Sequence, residues 1–379
     1  MPEYPLSFSN SSVSDEGSFK LLELSADLCK AVEGALATGQ ALRFNIKGEA
    51  TEEAVLCTDD RTYALRSVNL SNTVVVATAP PYASDAGFAD ETLVIRDQVN
   101  QILELTPIVP KLHKLTTLLR GKEYDEDHED EETEDDTEQV PRQRLSYSDA
   151  KSTIQASSME LERGLRERRI LNVDGELRPI APGYLSRIIE LILNSLVSYS
   201  IDYRAISVEK LSTILMENHE VPSLISTQVM SWFGNIEEGN WRMNVQSVIK
   251  EAGLTVLKSH KSDPVGVEKL TEEWQRMVGD TFASEVALEL LEGNYLMNRT
   301  YDGLDMLTYF PASSLPIEPA PRFSDLFLTR SRWKGEDIAP FLSDIAVDSK
   351  ERDKLLLKYA RATTTPEGVW YTSRTQYNG

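Results

Sequence analysis

The sequence predicts an α+β protein of several domains: an N-terminal antiparallel, β-barrel-like domain followed by tandem winged helices. Two observations carry this prediction. Between residues 42 and 108, short runs rich in β-branched residues follow one another without room for crossover helices. Beyond residue 144, helices with an apolar face alternate with hairpins whose turns contain glycine. Helix, helix, helix, hairpin is the order of a winged helix.

Length and composition bound the class of protein. The chain has 379 residues, of which 41% are hydrophobic, enough for two or three cores. The first thirty residues lack the basic start and following apolar stretch of a secretory signal, so we expect no such signal. The most apolar run, residues 188–197, is far shorter than a membrane span, so we expect no membrane partner. Cys29 and Cys57 are too few for a disulfide framework and are expected to be buried, reduced thiols.

The negative charge is concentrated away from the C-terminus. The net charge is -22, and residues 123–138 hold twelve acidic side chains and no Lys or Arg. Residues 321–379 hold ten basic and eight acidic side chains, so this part is +2 and the remainder is -24. The acidic tract predicts a solvated spacer at a domain boundary.

The first third of the chain has strand signals. Residues 1–18 are rich in Ser, Asn and Pro and predict disorder, and residues 19–36 predict a helix. Asp59-Asp60-Arg61 predicts a hairpin turn, and residues 111–119 a short helix. A self-contained small barrel and an open sheet whose edges are covered by another chain are equally compatible with these signals. The predicted strands are Leu42–Ile46, Ala54–Cys57, Thr62–Val68, Thr73–Thr78, Thr92–Ile95 and Ile102–Ile108.

An internal repeat follows the acidic tract. Helices at 157–168 and 224–233 each precede a hairpin, with turns at Gly175 and Gly239. These glycines are 64 residues apart, and Gly368 lies 129 residues further on, close to two periods. Residues 185–199 predict a buried core helix, and residues 245–315 a mostly helical, degenerate unit or connecting scaffold.

The last unit is predicted to contain three helices and a hairpin. Asp348 and Glu351 form a capping box that begins the third helix, and the second helix tolerates Pro340 only in its first turn. Thr365-Pro-Glu-Gly368 is a turn signal, and Val369–Tyr371 a strand that ends at Arg374. The apolar positions are Phe323, Leu326, Phe327 and Trp333 for the first helix, and Ile338, Phe341, Leu342 and Ile345 for the second.

A basic stripe follows the third predicted helix. Lysines and an arginine recur there at helical spacing, opposite Leu355, Leu356 and Tyr359. The stripe consists of Lys350, Lys354, Lys358 and Arg361. In a winged helix this element faces nucleic acid, whereas in an arbitrary protein such a stripe is a solvated surface. The candidate DNA-binding residues are Lys350, Lys354, Lys358, Arg361 and Arg374.

Signals for catalysis, cofactors and metals are weak. Gly34 and Gly39 have the spacing of a phosphate-binding loop, but Gln40 stands where such a loop needs lysine. The four histidines have no Cys or His neighbours at ligand spacing, and no serine lies in a nucleophile elbow. We therefore expect a protein that is not an enzyme and has no catalytic, cofactor or metal site.

Several short segments resemble one family. The chain resembles the Dcc (DSCC) family of sister-chromatid-cohesion proteins from about Phe19 to Arg374, apart from the acidic tract. The segments are Leu21–Leu24, Gly48, Glu53–Thr58, Arg61–Arg66, Ser71–Thr73, Ile338–Leu342 and Tyr371–Arg374.

The resemblance implies a nuclear, non-catalytic accessory subunit of the alternative clamp loader that loads and unloads PCNA. It implies that the N-terminal sheet forms a composite barrel with the small Ctf subunit and the C-terminal tail of the large Ctf subunit. The winged helices are expected to contact single- and double-stranded DNA without sequence specificity, with Lys358, Arg361 and Arg374 foremost. They are also expected to contact the catalytic subunit of DNA polymerase epsilon.

An alternative reading is a winged-helix transcription regulator with a β sensor domain. Such a regulator should bind one duplex sequence tightly and fold alone, whereas an accessory subunit should need its partners. The domain boundaries expected from the sequence are 1–18 (disordered), 19–120 (β domain), 121–143 (acidic linker), 144–244 (winged helices), 245–320 (degenerate unit) and 321–379 (C-terminal winged helix).

Overall fold

The computed structural model describes residues 6–8, 19–78, 93–126 and 144–374. Its helices and several small sheets confirm a mixed α+β fold. The chain forms two compact units. The N-terminal unit comprises residues 1–110 and 152–160, and the C-terminal unit comprises residues 111–151 and 161–379.

The N-terminal unit contains a six-stranded sheet that does not close into a barrel among the described residues. The strand order is β1-β6-β5-β4-β3, and β2 also pairs with β6. Strands β3 to β6 pair antiparallel, whereas β1 and β2 run parallel to β6, so the sheet is mixed rather than antiparallel. The elements are β1 (Leu6–Phe8), β2 (Leu21–Glu23), α1 (Ala26–Thr38), β3 (Asn45–Lys47), β4 (Val55–Cys57), β5 (Thr62–Thr78) and β6 (Leu93–Pro107).

Two predicted boundaries in this unit are wrong. The helix expected from residue 19 begins at Ala26, because the Ser25 hydroxyl caps it by accepting from the Leu28 N–H at 3.4 Å. Leu21–Glu23 instead pair with β6. Of the residues expected to be disordered, Leu6–Phe8 form a strand that pairs with β6, and the others lie outside the described residues.

The central ribbon of the sheet is longer than the sequence indicated. Predicted strands at 62–68 and 73–78 form the single strand β5, and those at 92–95 and 102–108 correspond to the single strand β6. The predicted gap between residues 68 and 73 is an irregularity within β5, where the register with β6 shifts between Asn69 and Val74. The predicted turn at 59–61 does join β4 to β5. Cys57 is buried, but Cys29 is exposed, contrary to expectation.

A distant segment completes the N-terminal unit. Residues 154–157 are at most 1% exposed. The Gln155 amide donates to the Glu53 carbonyl at 2.7 Å, and the Lys47 ammonium donates to the Ala156 carbonyl at 2.6 Å. The Thr62 hydroxyl donates to Glu160 at 2.6 Å. These contacts join residues about a hundred positions apart, so no local pattern in the sequence indicated them.

Truncating Ile154 should therefore loosen the N-terminal sheet. We expect Ile154→Ala in the full chain to destabilise this unit by about 2–5 kcal/mol, because a fully buried side chain leaves a cavity. Hydrogen exchange at the amides of β4 measures the effect. Met159→Ala is the matched control, since Met159 is 53% exposed in the same segment. Equal protection of β4 in both variants would show that the segment does not support the sheet.

The C-terminal unit consists of helices and small sheets. Residues 121–126, expected to be part of a linker, pair with the first hairpin: the Tyr124 N–H donates to the Pro179 carbonyl at 2.7 Å. Residues 127–143 lie outside the described residues. From residue 111 onward the helices are α2 (His113–Leu118), α3 (Tyr147–Thr153), α4 (Ser158–Glu167), α5 (Pro182–Ser198), α6 (Val208–His219), α7 (Ser223–Trp232), α8 (Val245–Ser259), α9 (Val267–Val278), α10 (Pro319–Thr329), α11 (Gly335–Ile338) and α12 (Ser349–Tyr359).

Four hairpins recur at regular intervals among the residues that the structure describes from 144 onward. Each has a glycine in the turn or directly after it, namely Gly175, Gly239, Gly303 and Gly368, spaced 64, 64 and 65 residues apart, and all four have positive φ. The strands are β7 (Ile170–Val173), β8 (Glu176–Pro179), β9 (Ile206–Ser207), β10 (Gly234–Glu237), β11 (Asn240–Met243), β12 (Val265–Gly266), β13 (Tyr295–Arg299), β14 (Asp305–Tyr309), β15 (Arg332–Lys334), β16 (Ala360–Thr365) and β17 (Gly368–Ser373).

The hairpin at Gly303 corrects the mostly helical expectation for residues 245–315. Its strands β13 and β14 pair in register from Tyr295 with Tyr309 to Arg299 with Asp305. Three three-stranded sheets share one order, in which a short strand pairs with the second strand of the hairpin: β10-β11-β9, β13-β14-β12 and β16-β17-β15. The segment between α9 and β13 contains two 3-10 turns, Ala283–Glu285 and Leu288–Leu291, where the neighbouring repeats have a helix. The hairpin was not predicted, because this segment lacks the helix that precedes the hairpin in the neighbouring repeats.

The cores explain why the repeats hold together. The predicted core helix α5 is confirmed: Ile188 and Ile192 are buried in a cluster shared with α6 to α9. In that cluster the Trp274 indole donates to the Ile249 carbonyl at 2.8 Å. A Cβ on Gly253 would lie 2.4 Å from the Trp274 ring, so only glycine permits this approach. No helix in the described ranges is both long and apolar enough to cross a membrane.

The last repeat differs from its prediction in two elements. Helix α10 ends at Thr329, and Trp333 lies in β15, although it is 1% exposed in the same core as Phe323. The second helix is short. It consists of α11 and a 3-10 turn, Ala339–Leu342, whose start accommodates Pro340.

Candidate nucleic-acid interface

The helix that carries the basic stripe begins as predicted. The Asp348 carboxylate accepts from the Glu351 N–H at 2.8 Å, and the Glu351 carboxylate accepts from the Val347 N–H at 2.6 Å. These two bonds satisfy backbone donors at the start of α12, one on each side of the cap. The capping residues therefore fix the first turn and the direction in which the following side chains point.

One face of α12 packs against the core and leaves the other in solvent. Leu356 is 4% exposed, and the Tyr359 ring stacks on Phe323 with 5.1 Å between centroids. The opposite face presents three exposed ammonium groups across about 12 Å of helix, at 1.5 Å per residue. They belong to Lys350, Lys354 and Lys358.

Arg361 lies on a strand rather than on the helix. The helical backbone ends at Tyr359, and Ala360 is extended, with φ of -125° and ψ of 160°. The three threonines that follow at 363–365 favour β structure, so the chain enters β16 at once. The Arg361 side chain is exposed there, next to the end of α12. The prediction that it shares the helical stripe is wrong, although it remains close to Lys358 in sequence.

Arg374 is brought back to the helix end. Its N–H donates to the Tyr359 carbonyl at 3.2 Å, and its guanidinium donates to the Lys358 carbonyl at 3.4 Å. A cation is favoured at a helix C-terminus, where carbonyl groups lack partners. The structure thus joins Lys358 and Arg374 at one place and leaves Lys350 and Lys354 further along the helix.

The adjacent sheet adds cations that the sequence analysis did not assign. Thr372 on β17 lies opposite Arg361 on one side and Arg332 of β15 on the other. The Arg332 guanidinium lies over the Trp370 ring, 4.3 Å from its centroid. Arg332, Arg361 and Trp370 come together only through the register of the three strands. The sequence did not predict this, because β15 has only three residues, too few to show an alternating pattern.

Acidic neighbours balance some of the charge. The Lys334 ammonium lies 2.8 Å from the Glu336 carboxylate, and this hydrogen bond raises the pKa of Lys334. Arg352 is 3.1 Å from Asp353 on the exposed side of α12. Within the described ranges no group of three His, Cys, Asp or Glu side chains could hold a metal ion.

Sequence comparison assigns the chain to a family. Residues 19–342 match the family model described as sister chromatid cohesion protein Dcc1, well over half of the chain. The chain belongs to the Dcc1 family of sister chromatid cohesion proteins. That matched region ends before α12, so it does not include the five candidate DNA-binding residues, Lys350, Lys354, Lys358, Arg361 and Arg374.

Relatives named as Dcc1 proteins extend the match in both directions. The sister chromatid cohesion protein DCC1 of Xenopus laevis is 27% identical over 94% of this chain and 89% of its own length. The Danio rerio protein is 26% identical over 98% of this chain and 92% of its own, which leaves too few residues uncovered to omit α12. The Saccharomyces cerevisiae protein is 22% identical over 94% of this chain and 97% of its own.

Proposed function

We propose that this Dcc1-family chain is a non-catalytic accessory subunit that acts in sister chromatid cohesion. In this proposal it belongs to the alternative clamp loader that loads and unloads PCNA at replication forks, and it acts in the nucleus. The observation that carries the proposal is the open N-terminal sheet in a chain of this family. An open sheet has outer strands with unpaired backbone groups, which another chain can cover.

The outer strand β3 is the proposed partner-binding edge. It has three residues and pairs only with β4 among the described strands. Ile46 in its middle is 68% exposed, an apolar side chain placed at an edge that natural sheets usually protect with charge. In the proposal, the small Ctf subunit and the C-terminal tail of the large Ctf subunit complete the sheet into a barrel.

The four hairpin repeats are proposed to be tandem winged helices. The order of strand, helices and hairpin that the last three repeats share supports this assignment. The terminal repeat binds single- and double-stranded DNA through Lys350, Lys354, Lys358, Arg361 and Arg374, while the tandem array also contacts the catalytic subunit of DNA polymerase epsilon. Lys and Arg contacts to phosphates position a protein without reading sequence, so no sequence specificity is expected.

Co-purification tests this proposal. The tagged full chain should recover the large and small Ctf subunits and the polymerase epsilon catalytic subunit from nuclear extract. Ile46→Lys should lose the Ctf subunits, because a charge would be buried at the shared edge. Leu36→Lys is the control, since Leu36 is 78% exposed on α1. A wild-type chain that recovers none of them and binds one duplex sequence tightly as a monomer would instead indicate a transcription regulator.

A further inference from the structure

The terminal three-stranded sheet has one face in the core and one in solvent. Trp333 and Ala360 are 1% and 4% exposed, and they mark the core face. Side chains alternate along each strand, and residues directly opposite each other share a face. The other face, here named the outer sheet face, is therefore defined by Arg332, Lys334, Arg361, Thr363, Trp370 and Thr372.

The outer sheet face combines cations with a flat aromatic surface. Arg332 and Arg361 flank Thr372 from the two neighbouring strands, which places their Cα atoms about 10 Å apart at the usual strand spacing. Both side chains are exposed, and neither has an ion-pair partner among the described residues. Lys334 differs, because Glu336 neutralises it. The unbalanced positive charge therefore lies in the row across the three strands that contains Arg332, Thr372 and Arg361.

The Arg332 guanidinium lies over an aromatic ring of the neighbouring strand. It is 4.3 Å from the centroid of the Trp370 ring, a distance typical of a cation–π contact. Trp370 is half-buried, and its indole N–H has no hydrogen-bond partner within the described part of the chain. A planar guanidinium supported from below by an indole offers a second planar surface above it. Nucleobases stack on both aromatic rings and guanidinium planes.

We infer that single-stranded DNA crosses the outer sheet face, with a base stacked on the Arg332–Trp370 pair and a phosphate near Arg361. This inference rests on the proposed DNA binding and assigns it a second mode. The bases of a duplex are stacked on one another and are not available to this pair, whereas those of a single strand are. The ammonium groups of α12 need only phosphates, which both kinds of DNA provide.

A comparison of two strands with equal charge tests the inference. Fluorescence anisotropy of the full chain would measure binding to an oligothymidine of about 20 nucleotides and to an abasic strand of the same length. Wild type is expected to bind the oligothymidine at least about fivefold more tightly, since stacking contributes about 1–3 kcal/mol per base and 1.4 kcal/mol is tenfold. Equal affinity for the two strands would overturn the inference and leave DNA binding intact.

The variants separate stacking from charge. Arg332→Lys keeps the charge but loses the planar group, so it should abolish the preference for the oligothymidine over the abasic strand. Trp370→Phe should retain most of the preference, and Arg361→Glu should weaken binding to both strands. A preference for bases that persists in Arg332→Lys and in a folded Trp370→Ala would place the stacking elsewhere and refute this assignment. Failure of wild type to bind either strand would overturn the proposed DNA binding itself.

Discussion

Replacing Lys358, Arg361 and Arg374 together by glutamate should lower the slope of log affinity against log salt by about two to three. Each phosphate contact releases about 0.9 counterion from duplex DNA, so three contacts predict this change. At about 0.15 M salt the same slope corresponds to an affinity loss on the order of a hundredfold. In the structure Arg374 and Lys358 lie side by side, since the Arg374 guanidinium donates to the Lys358 carbonyl at the end of α12.

Anisotropy across a salt series with several unrelated duplexes measures this effect, and all sequences should weaken alike. The matched control reverses three exposed cations elsewhere in the C-terminal unit, Lys250, Lys261 and Arg276, and changes the net charge by the same amount. The control should keep the slope of wild type. If the first variant stays folded by circular dichroism and matches wild type in both affinity and slope, Lys358, Arg361 and Arg374 are only solvated surface charges.

The sequence revealed features whose determinants are close together in the chain. The hairpins at Gly175 and Gly239 and the capped start of α12 depend on residues within a few positions of each other, and all three were predicted correctly. The hairpin at Gly303 also contains an Asp-Gly pair, but its loop spans residues 300–304 instead of two residues, and 3-10 turns rather than a helix precede it, so the hairpin was not predicted.

Features that depend on distant pairing were missed. Leu21–Glu23 have an apolar pattern compatible with a helix and become a strand because β6 supplies a partner about eighty residues away. Residues 154–157 are buried by contacts with the loops around β3 and β4. At the candidate site, helical spacing predicted the three lysines on α12. The Arg332–Trp370 pair could not be predicted, because it depends on the register between β15 and β17.

Arg322 illustrates a structural role that no pattern indicated. It is 0% exposed, and its guanidinium donates to the carbonyls of Phe341 at 2.7 Å, Pro316 at 3.0 Å and Ala312 at 3.2 Å. It also pairs with Asp344. Burial lowers the pKa of Arg322 and raises that of Asp344, so burial opposes both charges and the hydrogen bonds must offset it. One side chain thus joins α10 to two irregular segments that have no sheet partner of their own.

Arg322→Met should destabilise the terminal repeat by about 3–5 kcal/mol, because methionine fills much of the volume but removes the donor to the Phe341 and Pro316 carbonyls and the cation that pairs with Asp344. Hydrogen exchange of α10 and β15, or the cooperative unfolding of this repeat in urea, measures the loss. Arg276→Met, at an exposed position of α9, is the control and should change stability by less than about 0.5 kcal/mol. Asp344→Asn retains an acceptor and should cost less than Arg322→Met. If Arg322→Met is no more destabilising than Arg276→Met, the carbonyls find other donors and Arg322 is not what holds these segments together.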